Sequence, residues 1–118
     1  MAHYVRFEVY LPTRFKDATG LEKSITDQEI GEFCEKVRAL FGGYTESSPV
    51  ATPPFKGWWV TKGAPVVDFL IFIFTLVKLE REEEAKKFFE KWKRTLEERL
   101  SQEVILITFY PIQILGDI

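Results

Sequence analysis

The chain is 118 residues long, 46% hydrophobic and 29% charged, with a formal net charge of −2. That length predicts one domain, residues 1–118, with a core large enough to stand without disulfides, and the composition excludes disordered and collagen-like classes. The slight acidity argues against a nucleic-acid binder, and one cysteine excludes an internal disulfide or a multi-cysteine metal site.

Residues 4–11 alternate strictly. Val5, Phe7, Val9 and Leu11 point one way and Tyr4, Arg6, Glu8 and Tyr10 the other, which predicts a strand with one face on a core. Pro12 ends it, and a polar loop is expected over 12–25. Thr26 and Glu29 have the spacing of a capping box. Ile30, Phe33, Cys34, Val37, Leu40 and Phe41 then repeat at helical spacing until Gly42-Gly43, predicting a helix over 27–41. Pro49, Pro53, Pro54 and Gly57 mark 44–57 as loop, or loop around a frayed edge strand. Trp58–Thr61 and Val66–Val77 read as a hairpin joined by turn chemistry at Lys62–Pro65. A second helix is expected over 80–101, with Ala85, Phe88, Phe89, Trp92, Leu96 and Leu100 on its apolar stripe and an acidic first turn. Residues 104–110 form the last strand, which Pro111 confines to a sheet edge or a bulge.

The order strand, helix, strand, strand, helix, strand predicts an α+β fold. It is the ferredoxin-like βαββαβ plait, a four-stranded antiparallel sheet with both helices on one face. The first and third strands occupy its centre. No secretory segment is visible, and the run Val66–Val77 is too short to span a bilayer as a helix. A cytoplasmic protein is expected. The absence of asparagine, with Glu, Lys and Arg abundant, is the composition of a thermophile.

The helix-free face poses the main question. A half-solvated strand alternates apolar and polar, yet Leu70, Phe72, Phe74 and Leu76 make this face of the third strand as apolar as the other. With Leu106 and Tyr4 they would form a patch too large for a soluble monomer. A second copy of the chain, in a homodimer or homotrimer, is the expected cover; the alternative is residues 44–57 folded across the sheet. Arg6 and Glu8, flanked by Tyr4 and Tyr10, interrupt this face. They read either as a ligand site between subunits, with Glu8 a carboxylate of raised pKa and Arg6 an anion clamp, or as a charge pair that fixes assembly register, bonded to tyrosine hydroxyls.

Two further candidates follow from topology. Arg14 and Lys16, with Lys23, share one end of the sheet with Lys62 and the first helix N-terminus, an arrangement suited to a small anionic ligand or to solvated charge. Of Trp58 and Trp59 only one can enter the core, so Trp58 is a candidate for an interface or for stacking a ligand. His3 lies at the terminus and Cys34 on an apolar stripe, so neither reads as catalytic. No phosphate-cradling loop and no metal-ligand spacing appears, Glu82-Glu83-Glu84 being a solvated helix start, so neither cofactor nor metal is expected.

Gly57-Trp58-Trp59-Val60-Thr61-Lys62-Gly63 before a long apolar strand resembles the aromatic hairpin of the CutA-type proteins, and the second helix with Gln102-Glu103-Val104 is similar to that group and, more distantly, to the PII signalling proteins. The resemblance implies a small plait that trimerises through its sheet. It implies no nucleotide or metal site, because the residues for either are missing. The expected function is a homo-oligomeric domain, sensory or structural, binding a small anionic ligand between subunits. The alternative is a small α+β-barrel-type enzyme using Glu8 and Arg6 in an inter-subunit cavity. RNA binding through Tyr4, Tyr10 and Tyr110 fits the acidic charge least.

Overall fold

The computed structural model describes residues 2–47, 55–61 and 64–116, with the backbone alone at residue 27 and over 55–61 and 64–68. Its elements are β1 (Ala2–Pro12), β2 (Arg14–Lys16), β3 (Glu22–Ser24), α1 (Asp27–Phe41), β4 (Thr45–Glu46), β5 (Phe55–Thr61), β6 (Ala64–Lys78), a 3-10 turn (Leu79–Arg81), α2 (Glu82–Arg99) and β7 (Leu106–Ile114). β6 and β1 are central, β7 is one edge, and β4 and β5 share the other edge of β6; every pairing is antiparallel. This is the expected ferredoxin-like plait, its second-strand position split between β4 and β5.

The alternation in β1 does what its period dictates. Val5, Phe7, Val9 and Leu11 are buried with Ile71, Ile73 and Val77 of β6 against Ile30, Phe33 and Val37 of α1 and Ala85, Phe89, Trp92 and Leu96 of α2. Both helices therefore cover one face of the sheet. α1 begins at the Thr26 capping box: the Thr26 hydroxyl accepts from the Gln28 N–H (3.2 Å), and the Glu29 carboxylate accepts from the Thr26 N–H (2.7 Å). It ends at Gly42, whose φ of 92° lets its N–H reach the Arg38 carbonyl at 2.9 Å. Replacing the cap, Thr26→Ala, is expected to lower stability by about 1 kcal/mol in urea unfolding, while Leu40→Ala changes it far less because Leu40, placed on the apolar stripe by spacing, is 40% exposed.

Several elements differ from their sequence boundaries, β5 starting at Phe55 inside the expected loop and β6 at Ala64. The expected polar loop contains the β2–β3 hairpin, built on Asp17, whose Oδ1 accepts from the N–H groups of Thr19 (2.8 Å) and Leu21 (3.1 Å). Strands of three residues are too short to show a period. The second helix starts at Glu82, after the 3-10 turn, rather than at 80.

β7, finally, continues through Pro111 to Ile114. The register explains why. The Phe72 N–H donates to the Ser47 hydroxyl and its carbonyl accepts from the Ser47 N–H, so even-numbered residues of β6 direct their backbone outward. Alternation then turns the odd residues of β6 and β1 toward each other, the even residues of β1 toward β7, and the odd residues of β7, Pro111 among them, toward solvent. Proline forfeits no ladder bond at such a position.

Residues 44–47 and 55–61 run along the edge of β6, in the plane of the sheet. Pro49, Pro53 and Pro54 lie outside the described residues. No helix among the described residues is long and apolar enough to cross a membrane.

Candidate functional site

The helix-free face carries a polar cluster centred on Glu8. In the β ladder Glu8 pairs with Thr108 of β7 and Phe74 of β6, and Arg6 with Tyr110 and Leu76. This register aims four donors at one carboxylate. Arg6 Nε donates to Oε1 at 2.7 Å, the Tyr110 hydroxyl to Oε1 at 2.5 Å, the Tyr10 hydroxyl to Oε2 at 2.5 Å and the Thr108 hydroxyl to Oε2 at 3.4 Å. The guanidinium of Arg6 also lies over the Phe74 ring, 3.6 Å from its centroid. Phe74 stacks on Phe72 (5.9 Å), and Tyr10 leans on Phe72 (6.3 Å).

The electrostatics reverse one expectation. Burial pushes the Glu8 carboxyl up, but the hydroxyls of Tyr10 and Tyr110 and the charge of Arg6 outweigh it, and its pKa lies below the ordinary value instead of above. The hydrogen bonds to Glu8 in turn push the phenols of Tyr10 and Tyr110 up. At neutral pH the cluster is one carboxylate, two protonated phenols and one guanidinium. Glu8 is unsuited to donating a proton there. What the cluster presents outward is a neutral, fixed polar centre set among aromatic rings.

The sequence-predicted site residues separate into two groups. Arg6, Glu8 and Tyr10 come together. Tyr4 shares their face but is 6% exposed, so it is no part of an open apolar patch. Phe72, Phe74, Leu70 and Leu76 are half-buried by their neighbours, while Leu106 is exposed. At the end of the sheet, Arg14 pairs with Glu22 (2.9 Å) and Lys23 with Asp17 (3.2 Å), while Lys16 is exposed and stands opposite Glu22 in the hairpin. Each of these cations faces an acid of its own hairpin. The backbone of Trp58 pairs with Val67, its side chain and all of Lys62 lying outside the described residues. Thr108 is not among the sequence-predicted candidates, and Tyr110 is named there only for RNA stacking, not beside Glu8. The parity of residues 104–110 already put both on the helix-free face, but only the β1–β7 register sets them against Glu8. Among the described residues no three His, Cys, Asp or Glu side chains converge on a common point that could hold a metal.

No protein-family model matches the chain, and no curated protein is similar to it in sequence. Among solved structures, it is similar in fold to a phage SAM lyase in complex with S-methyl-5′-thioadenosine, with a TM-score of 0.56 and 11% identity over 94% of this chain and 90% of that one.

Proposed function

We propose that this protein is a homo-oligomer that closes the helix-free face of its sheet against copies of itself and holds a small polar ligand between them. The trimer implied by the CutA-type resemblance is one form of that assembly. The observation that supports the reading is the Glu8 cluster: a hydrogen-bonded ion pair set in a face that is otherwise aromatic and aliphatic. Water serves such a cluster poorly on an apolar sheet, whereas a partner surface retains its hydrogen bonds in a low dielectric. The guanidinium NH groups of Arg6 not used by Glu8 supply ligand donors, as befits a small anionic or polar molecule. A cytoplasmic setting and a heat-stable protein belong to the same proposal, on the strength of composition alone.

Sedimentation equilibrium tests it. The wild type is expected to be dimeric or trimeric at micromolar concentration, and Phe72→Lys, which puts a charge on the face without touching the helix-side core, to sediment as a folded monomer. A monomeric wild type at millimolar concentration overturns the reading.

The likeness to a SAM lyase favours a second reading, a small enzyme in which the ionised Glu8 acts as base or electrostatic anchor and Arg6 positions the substrate. Incubation with SAM, followed by chromatography for S-methyl-5′-thioadenosine, decides it. Product that appears with the wild type and not with Glu8→Gln supports the enzyme; no product at high protein concentration removes it.

A further inference from the structure

A second place on the molecule has the makings of a binding site, at the edge of β6 beside the Glu8 cluster, with which it shares Phe74. β4 pairs with β6 only at Phe74 and Ile73, so among the described residues nothing pairs with this edge of β6 beyond Phe74. By the alternation that Phe72 fixes, the N–H and C=O of Leu76 and the N–H of Lys78 point outward there. They open into a cleft of about 500 Å³, within the size range of ligand pockets, with Tyr4, Phe41, Tyr44 and Phe74 among its aromatic lining.

The wall of the cleft at the end of α1 is held in place: the Thr75 hydroxyl donates to the Gly43 carbonyl at 2.5 Å, and Arg81, paired with Glu84 (2.7 and 3.1 Å), donates to the Leu40 carbonyl (2.5 Å) and lies 5.1 Å from the Phe41 ring centroid. A compact planar molecule needs only this wall, the strand edge and the aromatic lining.

We infer that this cleft binds a nucleobase or nucleoside, clamped between aromatic rings and read by the open backbone of Leu76 and Lys78. The edge presents donor, acceptor, donor in sequence. Its complement is a planar heterocycle that sets an acceptor beside a donor on one edge, as adenine does with N7 and its exocyclic amine. Base stacking on aromatic side chains supplies affinity and the strand edge supplies selection. The inference does not depend on the sheet-face reading and stands or falls separately from it.

Adenosine is the probe. Titrated into the full-length ¹⁵N-labelled protein, it is expected to shift the amide signals of Leu76 and Lys78, and purine riboside, which lacks the exocyclic amine, to bind at least about fivefold more weakly, the worth of one hydrogen bond. A Cβ at Gly43 meets open space, so Gly43→Trp is expected to fill the cleft without disturbing the fold and to weaken adenosine at least tenfold. Silent Leu76 and Lys78 amides at millimolar adenosine overturn the inference, as does unaltered binding by a folded Gly43→Trp variant. Shifts confined to Arg6, Glu8 and Tyr110 overturn it as well, while supporting the sheet-face site.

Discussion

Glu8→Gln is expected to lower stability by about 2 kcal/mol at pH 7, and the loss shrinks as the pH falls. The amide keeps the shape and one acceptor oxygen but gives up the charge that three short hydrogen bonds address, and bonds to a charged group contribute about 1.5–3 kcal/mol each when intact. Part of that is recovered, because Tyr110 is 41% exposed and its hydroxyl can turn to water. The sign with pH follows from the depressed pKa. In the unfolded chain Glu8 titrates near 4.5 and in the folded chain lower. Its contribution is therefore complete above the unfolded value and disappears as pH falls through the folded one. Asp17, held at about 2 mainly by the Thr19 hydroxyl, and Glu29 and Glu97 also titrate low, so the wild type weakens in acid for several reasons. The difference between wild type and Glu8→Gln, measured by urea unfolding from pH 3 to 7, isolates Glu8. A difference that is flat over that range means Glu8 is not an ion bonded in the folded state.

The same cluster shows where reading the chain alone succeeds and where it stops. Period-two alternation places Arg6, Glu8 and Tyr10 on one face of β1 because the pleat leaves no other choice. The cap at Thr26 and the glycine stop at Gly42 delimit α1 for the same reason: each answers a fixed stereochemical demand at a helix end. The expectation that burial would raise Glu8 fails on information that is not local. Tyr110 lies 102 residues away, and nothing in residues 4–11 says that its hydroxyl arrives at Oε1. Likewise the outward nitrogen of Pro111 follows only from a hydrogen-bond phase set two strands away, at Phe72 and Ser47. The hairpin around Asp17 escapes because three residues hold only one and a half repeats of the strand period, too few to show it.

The core makes the larger energetic prediction, and two phenylalanines of similar burial separate its terms. Phe33 of α1 is fully buried, with Phe88, Phe89 and Trp92 centroids at 6.1, 6.1 and 5.4 Å. Phe7 of β1 is 1% exposed and stacks between Phe89 (4.7 Å) and Phe109 (5.3 Å). Truncating a buried phenylalanine costs about 3–5 kcal/mol, the spread reflecting how far the surroundings can collapse. Phe33→Ala leaves a void walled by α2 aromatics that pack against one another and cannot close on it. Phe7→Ala opens instead into the groove between α2 and β7, which Lys86, Lys93 and the 47% exposed Phe109 already line. There Phe109 can swing inward and water can enter. Phe33→Ala is therefore expected near 5 kcal/mol and Phe7→Ala nearer 3, both read as midpoint shifts in urea at constant slope. Against a total of about 5–15 kcal/mol for a domain, Phe33→Ala removes enough to unfold a marginal protein, and the Glu8 cluster on the opposite face disappears with it. Equal losses at the two sites contradict a groove that yields beside Phe7, and a Phe7→Ala that costs more than Phe33→Ala places the rigid centre of the core under β1 instead of between the helices.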